Sequence, residues 1–132
     1  LTDVTGVQTC ALPILMNRRY TDNATFRKIL QTIWYQINNG QEIFVIGEIL
    51  PDKTVKGGTG WGAEFSKICN KPLHVFDQKQ GAWFTWNKLE FVRREKGDEP
   101  VITHPHFTGG GTRFLEANGK TAIKNLFEAS FK

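Results

Sequence analysis

Gly57-Gly58-Thr59-Gly60 runs directly into Trp61-Gly62, and Glu64 follows two positions later. Glycines let a ligand approach the backbone closely, and the first turn of a helix carries unpaired N–H groups and a partial positive charge. A phosphate group suits both features. A second cluster, Thr108-Gly109-Gly110-Gly111-Thr112-Arg113, adds hydroxyls and a guanidinium able to grip an oxyanion in bidentate fashion. Either cluster alone reads equally well as a tight turn or a helix start. Two of them in one short chain point to an anionic ligand, with residues 57 to 62 and 108 to 113 as the candidate binding loops. Glu64 is the candidate acid or base, although a carboxylate near a helix start is also favoured by the helix dipole alone.

Other residues offer weaker chemistry. His104 and His106 have the types of metal ligands, but Pro105 separates them and no third ligand clusters with them. The expectation is a surface loop and no metal. Cys69, beside Ile68, reads as a small apolar residue on a helix. Trp83, Phe84, Trp86 and Phe91 alternate along a hairpin-like stretch, where packing on a sheet competes with stacking against bases. Lys88, Arg93, Arg94 and Lys96 nearby read as a solvated face that keeps a nucleic-acid partner as the less favoured alternative.

The elements that position these residues follow from periodicity. Phe26, Ile29, Leu30, Ile33, Trp34 and Ile37 recur at three- and four-residue steps, which predicts an amphipathic helix over 24–38, capped by Asp22 or Asn23 and ended by Asn38-Asn39-Gly40. EIFVIGEIL (42–50) is a near-continuous apolar run rich in β-branched residues, as in a strand buried on both faces. A loop at 51–62, a short helix stopped before Pro72 and a second strand, PLHVFD, complete a βαβ unit. GAWFTWNKLEF predicts a hairpin and REKGDEP a charged loop. VITH predicts a strand, followed by the second glycine loop and a last helix burying Leu115, Ile123, Leu126 and Phe127. No internal repeat or low-complexity tract is present.

Residues 1–14 stand apart. VTGVQTCALPI translates a common sequencing-library adapter without mismatch, and Leu15 is consistent with the adapter's last base, so this segment is expected to lie outside the domain. Removing it leaves 118 of 132 residues, and because Asp3 is its one charge the formal net charge moves from +4 to +5. That mild excess suits an anionic small molecule and is too small to argue nucleic acid by itself. Cys10 leaves with it, so Cys69 has no disulfide partner and a reducing, cytoplasmic setting is expected. No apolar run approaches the roughly 20 residues of a membrane span.

IWYQI, IFVIGEI, GGTGWGAEFSK, KPLHVFDQ and FTGGGTRFLEANGKTAIKNLF, in that order, resemble uncharacterised bacterial and phage proteins of the SLOG superfamily. That Rossmann-like nucleotide-binding group includes the lonely-guy (LOG) phosphoribohydrolases and the DNA-processing protein DprA. The resemblance spans residues 20–132. It implies an incomplete Rossmann-like three-layer α/β domain with a parallel sheet and an inserted β-hairpin, residues 15–132 forming the C-terminal portion of that domain. It also implies that an N-terminal strand and a first glycine-rich loop are missing. LOG enzymes carry Pro-Gly-Gly-x-Gly-Thr-x-x-Glu with a catalytic glutamate; Gly57, Gly58, Gly60 and Glu64 match it, while Lys56 and Trp61 replace the proline and threonine. No clear counterpart of their Arg-Lys pair precedes the strand, and closer relatives carry Arg-Asn where this chain has Thr32-Ile33. The expected function is therefore binding of a nucleotide or nucleotide-derived ligand. The alternatives are hydrolysis of a nucleoside monophosphate's N-glycosidic bond through Glu64, or a DprA-like DNA-binding module. No cofactor and no membrane contact are expected, and a homo-oligomer is compatible with the reading.

Overall fold

The computed structural model describes residues 24–57, 59–112 and 114–131. The adapter-like segment, the helix caps Asp22 and Asn23, and the candidate ligand contacts Gly58 and Arg113 lie outside the described residues. Helix α1 spans Ala24–Asn39, β1 Glu42–Gly47, α2 Thr59–Ile68, β2 Leu73–Asp77, β3 Ala82–Trp86, β4 Phe91–Arg93, β5 Phe107–Gly111 and α3 Ala117–Ser130.

The five strands form one sheet in the order β4-β3-β2-β1-β5. β1 pairs in parallel with β2, Val45 opposite Val75, and with β5, Val45 opposite Gly110. β2–β3 and β3–β4 are antiparallel. The expectation of a parallel sheet is corrected accordingly: the sheet is mixed. The turn at 78–81 is too short for the crossover that parallel strands require, so β3 must return antiparallel along β2. The expected hairpin is present as β3 and β4, and it extends the sheet edge-on. Asn87 shapes its turn by accepting the Leu89 and Glu90 N–H groups on Oδ1 at 2.9 and 2.8 Å.

All six residues of β1 are buried, because helices cover both faces of the sheet. On one face Ile43, Val45, Leu73 and Val75 pack with Leu30 and Ile37 of α1 and with Trp61, Ala63 and Phe65 of α2. On the other, Phe44, Ile46, Phe76 and Trp83 pack with Ile102 and with Ala122 and Leu126 of α3. The division follows from alternation: successive strand side chains point to opposite faces. Of the residues expected inside on α3, Leu126 is buried, Leu115 and Ile123 are half-buried, and Phe127 is 41% exposed. Cys69 is half-buried rather than enclosed.

VITH forms no strand. FTGGG, expected as a loop, is strand β5 instead. A central strand must pair its N–H and C=O groups on both edges, and with β2 on one side β1 takes the glycine segment on the other.

Candidate functional site

The loop after β1 closes on itself before reaching α2. Ile49 bridges to Val55, Leu50 N–H donates to the Thr54 carbonyl at 2.7 Å, and Lys56 N–H donates to the Glu48 carbonyl at 2.9 Å. Thr54 Oγ1 donates to Asp52 Oδ1 at 2.5 Å, and this hydrogen bond holds the Asp52 carboxyl below its ordinary range. Val55 is fully buried and anchors the loop in the core. Gly57 then turns the chain with φ +78°, a conformation that costs glycine little, and its carbonyl accepts the Gly60 N–H at 3.1 Å. Thr59 opens α2, whose first turn carries no acidic residue.

The candidate residues around this turn separate. Gly57 is exposed and Thr59 half-buried, both at the start of α2. Gly60 and Trp61 are buried, and the Trp61 ring packs against Phe65 at 6.4 Å in the core. Gly62 faces α1, where a Cβ would meet Ile33 Cγ2 at 3.7 Å. Trp61 and Gly62 are thus packing residues of α2.

Glu64 is 5% exposed. Its Oε1 accepts a hydrogen bond from Lys67 Nζ at 2.9 Å. The same ammonium donates to the Lys53 carbonyl at 2.6 Å and lies 4.1 Å from the Trp86 ring centre and 5.1 Å from that of Phe91. A carboxylate held this way ties α2 to the hairpin and to the loop before it, a structural use that competes with proton transfer to a substrate.

In the second cluster, Thr108 Oγ1 donates to the Gln36 carbonyl at 2.8 Å, so its hydroxyl is bound to the end of α1. Thr108 stands opposite Ile43 and Gly109 opposite Phe44, in the first half of β1. Gly110, opposite Val45, also lies within the strand. Among the described residues of the cluster, Gly111 and Thr112 reach the carboxyl end, where Thr112 N–H donates to the Ile46 carbonyl at 3.0 Å. The glycine loop expected at 108–113 is corrected over 108–111, which form strand and deliver Gly111 and Thr112 to the rim.

The residues that organise this rim are ones the sequence reading passed over. Asp77, 1% exposed at the end of β2, accepts the Ile49, Lys79 and Gln80 N–H groups at 3.0, 2.9 and 3.0 Å and the Gln80 side-chain amide at 3.0 Å. Gln78 N–H donates to the Gly47 carbonyl at 2.8 Å. Gln78 Oε1 accepts the Glu116 N–H at 2.7 Å, its Nε2 donates to the Phe114 carbonyl at 3.3 Å, and its own carbonyl accepts Asn118 Nδ2 at 2.7 Å. Glu116 precedes α3 without a side-chain cap, and the first turn of α3 has no acidic residue. The available signal was position: a polar pair, Asp77-Gln78, directly after a buried strand.

The connections leaving β1 and β5 diverge. β1 leads to α2 on one face of the sheet and β5 to α3 on the other. Two adjacent parallel strands whose following helices pack on opposite faces define a topological switch point.

A cleft of about 870 Å³ lies elsewhere, between α3, β3 and the segment 93–101. It is bordered by Arg93, Arg94 and Lys96 but also by Glu95 and Glu99, and Arg94 is already bound to Asp98 Oδ2 at 3.3 Å and Thr85 Oγ1 at 3.0 Å. Charges of both signs give it no preference for an anion. Glu64 and the described residues of the two glycine clusters do not border it, whereas Trp83, Arg93, Arg94 and Lys96 of the nucleic-acid alternative do.

Trp83 and Phe84 are buried within the sheet, and Trp86 stacks edge-on with Phe91 at 5.0 Å, which favours packing over a base-stacking platform. His104 Nδ1 accepts the His106 N–H at 3.1 Å. Among the described residues no group of three or more His, Cys, Asp or Glu side chains could hold a metal ion, and no helix is long and apolar enough to cross a membrane. His74 is a further residue the sequence reading missed. Its Nδ1 bonds Thr85 Oγ1 at 2.9 Å and its ring stacks on Phe44; burial, reinforced by the Arg94 charge and opposed by Glu42, lowers its pKa to about 4.

Comparison of the chain with protein-family models, with curated proteins and with solved structures finds no match.

Proposed function

We propose that the chain binds a nucleotide or a nucleotide-derived anionic ligand in the crevice outside the carboxyl ends of β1 and β5, on a Rossmann-like three-layer frame. The observation that carries this reading is the divergence of the two connections, with α2 on one face and α3 on the other. Open α/β sheets bind ligands at such switch points because the loops part there and leave a concave rim lined by helix starts. Neither α2 nor α3 has an acidic residue in its first turn, and the nearest carboxylate at these starts is Glu116 at the N-cap of α3. Gly57 and Thr59 would contribute from the α2 side, and Gly111 and Thr112 from the β5 side. The resemblance to SLOG proteins agrees with the same ligand class.

A binder is favoured over a glycoside hydrolase by the state of Glu64, whose carboxylate is buried and ion-paired with Lys67. The test is calorimetric titration of the 132-residue chain with AMP, ADP and inorganic pyrophosphate. A Cβ at Gly111 meets nothing within 4 Å, so Gly111→Asp adds a negative charge at the rim without disturbing packing. Wild-type binding weakened tenfold or more in Gly111→Asp is the expected result. Absence of binding to all three probes, or equal binding by the variant, overturns the reading.

A further inference from the structure

We infer that Gln78 is a positioning residue for this ligand site, holding the turn between β5 and α3 against the end of β1 so that the first turn of α3 faces the crevice. The inference rests on the switch-point reading above.

The argument is one of geometry and charge. β1 and β5 end side by side, and the described residues between β5 and α3, Thr112 and Phe114 to Glu116, belong to no strand or helix. Thr112 itself secures only the next step, its Oγ1 accepting the Phe114 N–H at 3.1 Å. Among the described residues, the turn is then held by Gln78, which binds the Phe114 carbonyl, the Glu116 N–H and the Asn118 side chain, and whose own N–H is fixed to Gly47. One residue thus links the end of the central strand to the start of α3. Only a side chain that both donates and accepts can hold a carbonyl and an N–H of one turn together, and an amide does so without charge. A carboxylate in the same place could accept from Glu116 but could not donate to Phe114, and it would repel an anion at the rim. Gly119 completes the fit: a Cβ there would collide with Gln78 Oε1, so the helix approaches as closely as this amide requires.

The test compares wild type, Gln78→Met and Gln78→Glu in the full chain, with AMP and pyrophosphate as probes and amide hydrogen exchange as a ligand-free readout. Gln78→Met keeps the side-chain length but neither hydrogen bond. It should speed exchange of the Glu116 amide at least tenfold, leave the β1 amides protected, and weaken AMP binding at least tenfold. Gln78→Glu should keep the Glu116 amide protected yet weaken both anions by a similar factor, a split that a purely structural role would not produce. Unchanged Glu116 exchange in Gln78→Met, or wild-type affinity in both variants, overturns the inference. If wild type itself binds neither probe, the switch-point reading fails, and a role for Gln78 in ligand positioning fails with it.

Discussion

Lys67 Nζ lies 2.9 Å from Glu64 Oε1 and 4.1 Å from the Trp86 ring centre, so a single ammonium joins α2 to the β-hairpin. Removing one partner of a buried pair leaves the other charge poorly compensated, which typically costs about 3 kcal/mol or more. Lys67→Ala should therefore lower unfolding free energy by about 3 kcal/mol in urea titrations. The double variant Glu64→Gln/Lys67→Met should recover more than half of that, because the carboxylate that loses its ammonium is replaced and the Met chain still packs on Trp86. A loss below about 0.5 kcal/mol in Lys67→Ala would show the pair to be incidental.

The same contact bears on chemistry. A general acid or base must reach the proton it moves, and Glu64 is buried against Lys67. Incubation with nucleoside monophosphates should release no free base from wild type or from Glu64→Gln, followed chromatographically. Release within seconds that disappears in Glu64→Gln would replace the binder with an N-glycoside hydrolase.

Acid should weaken the fold through His74. Its folded pKa is lowered from 6.5 to about 4, so between those values the unfolded chain binds the extra proton. The stability it contributes is present above about pH 6.5 and is lost as pH falls towards 4. With solvent access discounted, the loss amounts to about 2 kcal/mol. His74→Gln should flatten the dependence of urea midpoint on pH across this window. An unchanged slope would mean that His74 is protonated in the folded protein at ordinary values.

Gly119 sits in the first turns of α3, where alanine would ordinarily stabilise a helix by up to about 1 kcal/mol. Here the added methyl collides with Gln78 Oε1 and stands 2.9 Å from Leu115 Cδ1 and 3.0 Å from Ile46 Cγ2. Overpacking should reverse the sign, with Gly119→Ala costing about 1–3 kcal/mol. A rise in melting temperature would show that α3 can shift away freely.

Gly57 and Gly109 separate conformation from space. Neither position would bring a Cβ within 4 Å of another atom, but Gly57 has φ +78° while Gly109 lies in the extended backbone of β5. Gly57→Ala should cost about 1 kcal/mol through backbone strain. Gly109→Ala should be neutral or stabilise by about 0.5 kcal/mol, by restricting the unfolded chain. Equal effects in thermal melts would contradict this assignment of the backbone.

Elements whose signal is local are legible from residue order alone. The three- and four-residue spacing of Leu30, Ile33, Trp34 and Ile37 specifies α1, the apolar run at 42–50 specifies a strand buried on both faces, of which 42–47 form β1, and the glycine turn at 57 specifies the start of α2. Tertiary structure decided whatever depends on pairing. Phe107 to Gly111 carry three glycines and read locally as a loop, yet they form a strand because β1 had a second edge of backbone groups to satisfy. The sheet is mixed because the turn at 78–81 leaves no length for a crossover. Glu64 matches a catalytic pattern by position, but only folding shows Lys67 and the hairpin closing over it. Gln78 has no periodic or motif signal, since its partners lie 36 and 38 positions away at Phe114 and Glu116. Periodicity reports which face of an element meets the core; it carries no record of which distant backbone group will complete a hydrogen bond, and at this rim those bonds set the geometry.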